Sequence, residues 1–208
     1  MFPNLRGLEM RHPTIEDIPQ IVAFANQCAQ MDMGIEQVNT VEQLSAFWQD
    51  EQLHPERDIL LVVDAHGNMV ATLAALIAPP YTYVYQELNI HPIYRGRGLE
   101  EFLLERAENH AKLALEYADA STTVMMIHGV HSQRRWLRDL LEKHAYTIVQ
   151  TITRLALRLD EMRPLPAFPP TIEFRPYTDQ DAGALSTTLR EINQDIGAAN
   201  PPSFEALM

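Results

Sequence analysis

The chain has 208 residues, enough for one well-buried domain and hardly enough for two, so a single core with a remainder is expected. Hydrophobic residues make up 46% and charged residues 21%, which excludes the low-hydrophobicity composition of a disordered protein. The 16 Lys and Arg against 28 Asp and Glu leave a formal net charge of −12, which repels phosphate backbones and anionic lipid surfaces. Neither nucleic acid nor membrane is therefore an expected partner.

The most apolar stretch, Met69 to Ala78, is about half the length needed to span a bilayer. The opening residues MFPNLRGLEMRH lack the apolar stretch of a signal peptide, and the lone Cys28 has no internal disulfide partner. A cytoplasmic protein is the expectation.

In chain order, Leu8 to Arg11 reads as a short strand. Thr14 and Asp17 have the spacing of a helix capping pair and open the apolar-periodic segment Ile18, Ile21, Val22, Ala25. Thr40 and Gln43 repeat that signal before Leu44, Phe47 and Trp48, predicting a second helix that ends near Leu53 and Pro55. Ile59 to Asp64 and Met69 to Ala78, separated by the turn residues AHGN, predict a hairpin. Tyr81 to His91 is a further strand, ended by Pro92, and Ile93 to Gly98 is a loop.

Phe102, Leu103, Ala107, Ala111, Ala114 and Leu115 recur at helical spacing and predict an amphipathic helix from Leu99 to Tyr117. Thr122 to His128 then reads as a strand, Gln133 to His144 as a helix, and Tyr146 to Leu159 as one or two final strands. The order is mixed α/β, with strands before and after the central helix, and outlines one domain over residues 1–160.

Residues 161–171, EMRPLPAFPPT, are proline-rich and read as a stiff linker. Beyond it, IEFRPYTDQDAGAL at 172–185 lies over LEMRHPTIEDIPQI at 8–21 without a gap. Glu9, Arg11, Thr14 and Asp17 match Glu173, Arg175, Thr178 and Asp181. The offset of 164 residues is close to the size of the domain, so 172–208 is expected to open a second copy, truncated after one strand and one helix. Such a fragment cannot close its own core. It must dock on the first domain, swap with another chain in a homodimer, or stay mobile.

The segment richest in chemical meaning is LNIHPIYRGRGLEEFLLERAENHAKL, residues 88–113: a strand, a Pro, a turn rich in Arg and Gly, and a long helix. Gly96 and Gly98 let the backbone pass close to a ligand, and N–H groups at a helix N-terminus favour a phosphate. Arg95 and Arg97 add positive charge. Alone, RGRG could be a surface turn with two solvated arginines; its place between strand and helix argues for an anion site.

This segment resembles motif A of the GNAT superfamily of acyl-CoA-dependent N-acetyltransferases, HPIYRGRGL being close to the family's usual string. The resemblance extends more weakly over residues 7–160 through the order of elements. It implies the GNAT fold, a mixed, mostly antiparallel central sheet flanked by helices. It also implies acetyl-CoA as co-substrate, no metal, and an acceptor that is a small-molecule or peptide amine. Residues expected at the cofactor are Leu88, Asn89, Ile90, Arg95, Gly96, Arg97, Gly98, Leu99 and Glu100. Glu100 departs from the pattern, because the family prefers the smallest side chains there. A carboxylate about 5 Å from a pyrophosphate costs roughly 3 kcal/mol at an effective dielectric of 20, about a hundredfold in affinity.

For catalysis the resemblance points to a backbone N–H around Asn89 and Ile90 for the oxyanion, and Glu87 is the nearest carboxylate to act as base. Read otherwise, Glu87 is a solvated carboxylate at the edge of the sheet. In LLEKHAY, residues 140–146, Leu141 stands where the family often has an acidic Tyr, and Tyr146 reads as a core aromatic. His128 and His131, with no Cys or carboxylate cluster nearby, make a poor zinc site and read as solvated or capping residues. Cys28, Trp48 and Trp136 read as packing residues. The layout resembles tandem GNAT proteins of the mycothiol synthase type, in which one site often works and the other is worn. A degenerate first domain partnering a catalytic second one is therefore the alternative to an active acetyltransferase.

Overall fold

A computed structural model describes residues 7–153, 155, 169, 171 and 175–195, the side chains of 193–195 excepted. The chain divides into two compact units, Met1–Thr151 and Ile152–Met208.

The first unit is built on a five-stranded sheet: β1 (Leu8–Arg11), β2 (Ile59–Asp64), β3 (Met69–Ile77), β4 (Tyr83–Ile90) and β5 (Met125–His128), neighbours in that order. The first four are antiparallel in sequence, and β5 lies parallel to β4. A register shift at Val62/Val63 marks a bulge between β2 and β3. Between β1 and β2 run helices α1 (Ile18–Met33), α2 (Val41–Trp48) and the one-turn α3 (Pro55–Asp58). The β4–β5 connection contains α4 (Leu99–Ala111) and the short α5 (Ala114–Tyr117), and α6 (Arg135–Lys143) follows β5.

Strand alternation divides the core. Leu60, Val62, Leu73, Val84, Leu88 and Ile90 pack with Leu99, Leu103 and Leu104 of α4 and Leu137 of α6. Across the sheet, Ile59, Leu61 and Met69 pack with Ile21, Phe24 and Cys28 of α1 and with Leu44 and Trp48 of α2. The periodicity of α1 explains this: its buried positions Ile18, Ile21, Val22, Phe24, Ala25, Cys28 and Ala29 form one stripe. Cys28 is fully buried, and burial pushes its thiol up to about 11, as a packing residue requires.

Both sequence-identified helix starts carry capping boxes, Thr14 with Asp17 and Thr40 with Gln43. Arg11 closes the first into a corner, donating to Asp17 Oδ2 at 2.7 Å and to Oδ1 at 2.6 Å. These bonds, led by the one from Arg11, hold the Asp17 carboxyl well below the usual carboxylate range.

Three expectations are corrected. The helix expected to run from Leu99 to Tyr117 breaks after Ala111, where Leu113 N and Leu115 N bond three residues back, to His110 O and Lys112 O, and only the turn Ala114–Tyr117 resumes it. β5 begins at Met125 rather than Thr122. The final strands expected over Tyr146 to Leu159 are absent from 146–153, where Ile148 and Val149 are both 74% exposed. Strand propensity without a neighbour to supply ladder bonds does not make a strand; residues 156–159 lie outside the described set.

In the second unit, α7 (Ala182–Asp195) follows a turn of 3₁₀ helix, Asp179–Asp181. Thr178 and Asp181 form a capping box, and Arg175 donates to both oxygens of Asp181. The corner repeats that of Arg11, Thr14 and Asp17 atom for atom. The strand expected at 172–174 and the linker residues 161–168 and 170 lie outside the described residues.

Leu103 is fully buried between α4 and the sheet. Leu103→Ala is expected to cost about 3 kcal/mol of unfolding free energy through lost burial and a residual cavity, read from urea titration followed by circular dichroism.

Candidate active site

The site is created by a difference in how long β4 is paired on its two sides. Toward β3 the pairing runs from Val84 to Ile90; toward β5 it ends at Gln86 opposite His128. The two parallel strands part there, so among the described residues the backbone at Leu88 to Ile90 has no strand on its β5 side. Arginines supply the missing donors. Arg134, just before α6, gives Nη2 to Leu88 O at 3.1 Å and to Asn89 Oδ1 at 3.0 Å. Arg95 gives Nε and Nη2 to Ile90 O at 2.9 and 2.7 Å.

Both arginines share one carboxylate. Asp32, in the last turn of α1, takes Arg95 in a two-bond fork at 2.7 and 2.9 Å, Arg134 Nε at 3.2 Å and Trp136 Nε1 at 3.0 Å. The guanidinium of Arg95 also lies 4.2 Å from the centre of the Trp136 ring. A carboxylate at a helix C-terminus meets the unfavourable end of the dipole. The Asp32 side chain is 5% exposed. Burial pulls its pKa up, but the bonds and charges of Arg95, Trp136 and Arg134 together outweigh burial and hold the group below its ordinary value.

The loop after β4 turns at Gly96 and Gly98, whose φ values of 72° and 89° favour glycine. It delivers the chain into the N-terminus of α4. The Gly96 N–H, which would face an anion, is taken by Glu100: Oε1 of that side chain accepts from it. Glu100 is 7% exposed, and its Oε2 has no partner among the described residues. Arg97 is exposed, has no ion pair among the described residues, and lies 5.8 Å from the centre of the Tyr94 ring. Glu100 thus holds the Gly96 N–H at the N-terminus of α4, and Arg97 is left as an exposed cation of the loop.

On the opposite face of β4 lies a cavity of about 200 Å³ between the sheet and α1 and α2. Leu44, Phe47, Trp48, Leu76, Tyr85, Glu87 and Asn89 are among its walls. Glu87 is exposed and Asn89 is 6% exposed; Asn89 Nδ2 donates to Glu87 Oε1 at 2.9 Å. Through Asn89, the Arg134 network reaches the carboxylate facing this cavity.

The sequence-identified residues thus fall into three groups. Glu87 and Asn89 meet at the cavity; Arg95, Gly96, Gly98 and Glu100 meet at the loop, with Arg97 beside it. Leu88, Ile90 and Leu99 put their side chains into the core, and the first two offer only backbone to the site. Leu141 is a buried core residue with no proton to give, and Tyr146 packs against the same core. Burial, with Glu108 beside it, pushes the Tyr146 phenol above its ordinary value. Asp32, Arg134 and the polar role of Trp136 were not legible in the sequence. Arg95 and Arg134 lie 63 and 102 residues from Asp32, and no local pattern connects such distances.

His128 is largely buried rather than solvated, and both ring nitrogens lack a partner among the described residues. Burial, and then the charge of Arg134, lower its pKa from 6.5 to about 4. Among the described residues no group of three His, Cys, Asp or Glu could hold a metal ion, and no helix is long and apolar enough to cross a membrane.

No family model and no curated protein sequence matches the chain. Solved structures do. A GCN5-related N-acetyltransferase from Sphaerobacter thermophilus superposes with a TM-score of 0.76 at 24% identity, over 97% of this chain and 62% of that one. An N-acetyltransferase from Staphylococcus aureus Mu50 gives 0.54 at 17% identity, over 74% and 92% of the two chains. The yncA protein of Salmonella typhimurium, solved with its cofactor acetyl-CoA, gives 0.51 at 16%, over 74% and 87%. The neighbours are acetyltransferases, and the fold is theirs, the GNAT fold. The chain spans 62% of the length of the Sphaerobacter protein.

Two measurements probe the site's physics. Asp32→Ala leaves two buried guanidinium groups without their shared counter-charge and is expected to cost about 3 kcal/mol or more in urea unfolding. For His128, the unfolded state binds the proton first as pH falls from 6.5, and the folded state only near 4. Melting temperature is therefore expected to drop across that window, and the drop to shrink in His128→Gln. Asp17, Asp32 and Asp58 are held below their ordinary value, beneath this window.

Proposed function

We propose that this protein is an acyl-CoA-dependent N-acyltransferase that moves an acetyl or other acyl group from the CoA thioester to an amine of a small molecule or peptide. The observation that carries this reading is the parting of β4 and β5 beside a glycine loop at a helix N-terminus. That arrangement sets strand backbone that has left β5 beside a glycine loop and a helix N-terminus, as a thioester on a diphosphate carrier requires once the Glu100 side chain gives up the Gly96 N–H. In this reading the cofactor residues are the backbone of Leu88, Asn89 and Ile90 with Arg95, Gly96, Arg97, Gly98 and the start of α4 at Leu99. Glu87, held by Asn89 at the cavity, is the base for the acceptor amine.

A second reading is favoured by Glu100. Its carboxylate is an internal anion on the Gly96 N–H, where a phosphate oxygen would go, and Arg134 occupies the Leu88 carbonyl. Leu141 leaves no acid at the family's usual place. Together these describe a domain whose cofactor cradle is closed by its own side chains, a worn partner to a catalytic copy. The repeated corner at Arg175, Thr178 and Asp181 supports the tandem organisation that this requires: a GNAT domain over 1–160, a linker over 161–171 and a second copy opening at 172. A homodimer through that second segment belongs to the same proposal.

Isothermal titration with acetyl-CoA and with free CoA separates the readings. Removing the carboxylate in Glu100→Ala is expected to tighten acetyl-CoA binding about a hundredfold. Micromolar binding by the unaltered chain supports a working cofactor site. Binding seen only in Glu100→Ala supports the worn copy, and binding by neither overturns the cofactor reading.

A further inference from the structure

We propose that the cavity beside Glu87 takes a small primary monoamine with an apolar, ring-sized body, and that it discriminates against diamines and amino acids. The inference deepens the acceptor side of the function proposed above and rests on that reading for its place in the reaction.

The wall chemistry carries it. Three aromatic side chains, Phe47, Trp48 and Tyr85, and three leucines, Leu44, Leu73 and Leu76, line the cavity, and among the described residues Glu87 is its single charged one. An ammonium group entering here has one carboxylate to pair with and aromatic faces to rest against. Asn89 holds Glu87 from the strand side at 2.9 Å, so the carboxylate is aimed by a neighbour that is itself fixed by Arg134 at 3.0 Å. A second ammonium on the ligand would lie against the apolar wall with no counter-charge. A ligand carboxylate would find no cation in the lining and would meet Glu87. One positive charge and an apolar remainder are what this surface can satisfy.

Size sets the remainder. The volume of about 200 Å³ exceeds the ~150 Å³ of a cavity that admits benzene. That leaves room for a six-membered ring and a short arm. Glu87, Gln86 and Asn89 sit in the wall where β4 leaves β5, so an amine paired with Glu87 lies beside the stretch of β4 that has parted from β5. The overall charge of −12 favours the approach of a cation.

The test is isothermal titration of the full chain, without acetyl-CoA, using 2-phenylethylamine, 2-phenylethanol as its neutral counterpart, 1,4-diaminobutane and phenylalanine. The amine is expected to bind saturably and about tenfold more tightly than the alcohol, the sum of a partly exposed ion pair and a cation–π contact. The diamine and the amino acid are expected to be weaker than the amine, and Glu87→Gln to remove the amine's advantage over the alcohol. No saturable binding of 2-phenylethylamine overturns the proposal. So does an alcohol, diamine or amino acid that binds as tightly, or an advantage that survives Glu87→Gln. Because no cofactor is present, failure here bears on the cavity alone, whereas failure of Glu100→Ala to take up acetyl-CoA bears on the loop.

Discussion

Asp32 ties together by charge pieces of chain that lie far apart in sequence. Its carboxylate binds Arg95 at the start of the glycine loop, Arg134 before α6 and Trp136 within it, and those arginines in turn bind the last carbonyls of β4. The end of α1, the loop, the open end of β4 and the start of α6 are thereby held around one buried charge. Two guanidinium groups in a largely buried setting need a counter-charge, and the low solvent exposure of all three groups makes each dependent on the others. Glu100 supplies a second negative charge at the N-terminus of α4, where the helix dipole favours it.

This arrangement explains why the site has two unlike sides. On the loop side, donors are abundant and the chain answers them with its own carboxylate. On the cavity side, apolar and aromatic walls surround one acceptor, Glu87. Asn89 connects the two, since its amide oxygen takes Arg134 and its amide nitrogen gives to Glu87. One buried side chain thus links the arginine network to the carboxylate at the cavity.

Much of the architecture was legible in the sequence because the signals are local. The capping pairs Thr14/Asp17 and Thr40/Gln43 mark helix starts since each is a bond between residues three apart. The hairpin of β2 and β3 follows from β-rich runs and a turn, and the stripe on α1 from its period. The glycine loop was legible for the same reason, as strand, turn and helix N-terminus are contiguous. Where expectation failed, the outcome hung on partners. The run after Tyr146 has strand composition but no neighbour to pair with, and the helix after Ala111 tightens into a turn that its apolar spacing does not show.

The sequence by itself determined the order of elements, the place of the anion-seeking loop and the oddity of a glutamate at position 100, because each depends on residues within one turn or one strand of each other. Only the tertiary structure decided what those parts do together. It placed Glu100 on the Gly96 N–H, gave Asp32 its three partners and set Glu87 at the mouth of an aromatic-walled cavity. The physical reason is that charge pairing and cavity shape are set by distance in space, and the chain separates these residues by up to 104 positions.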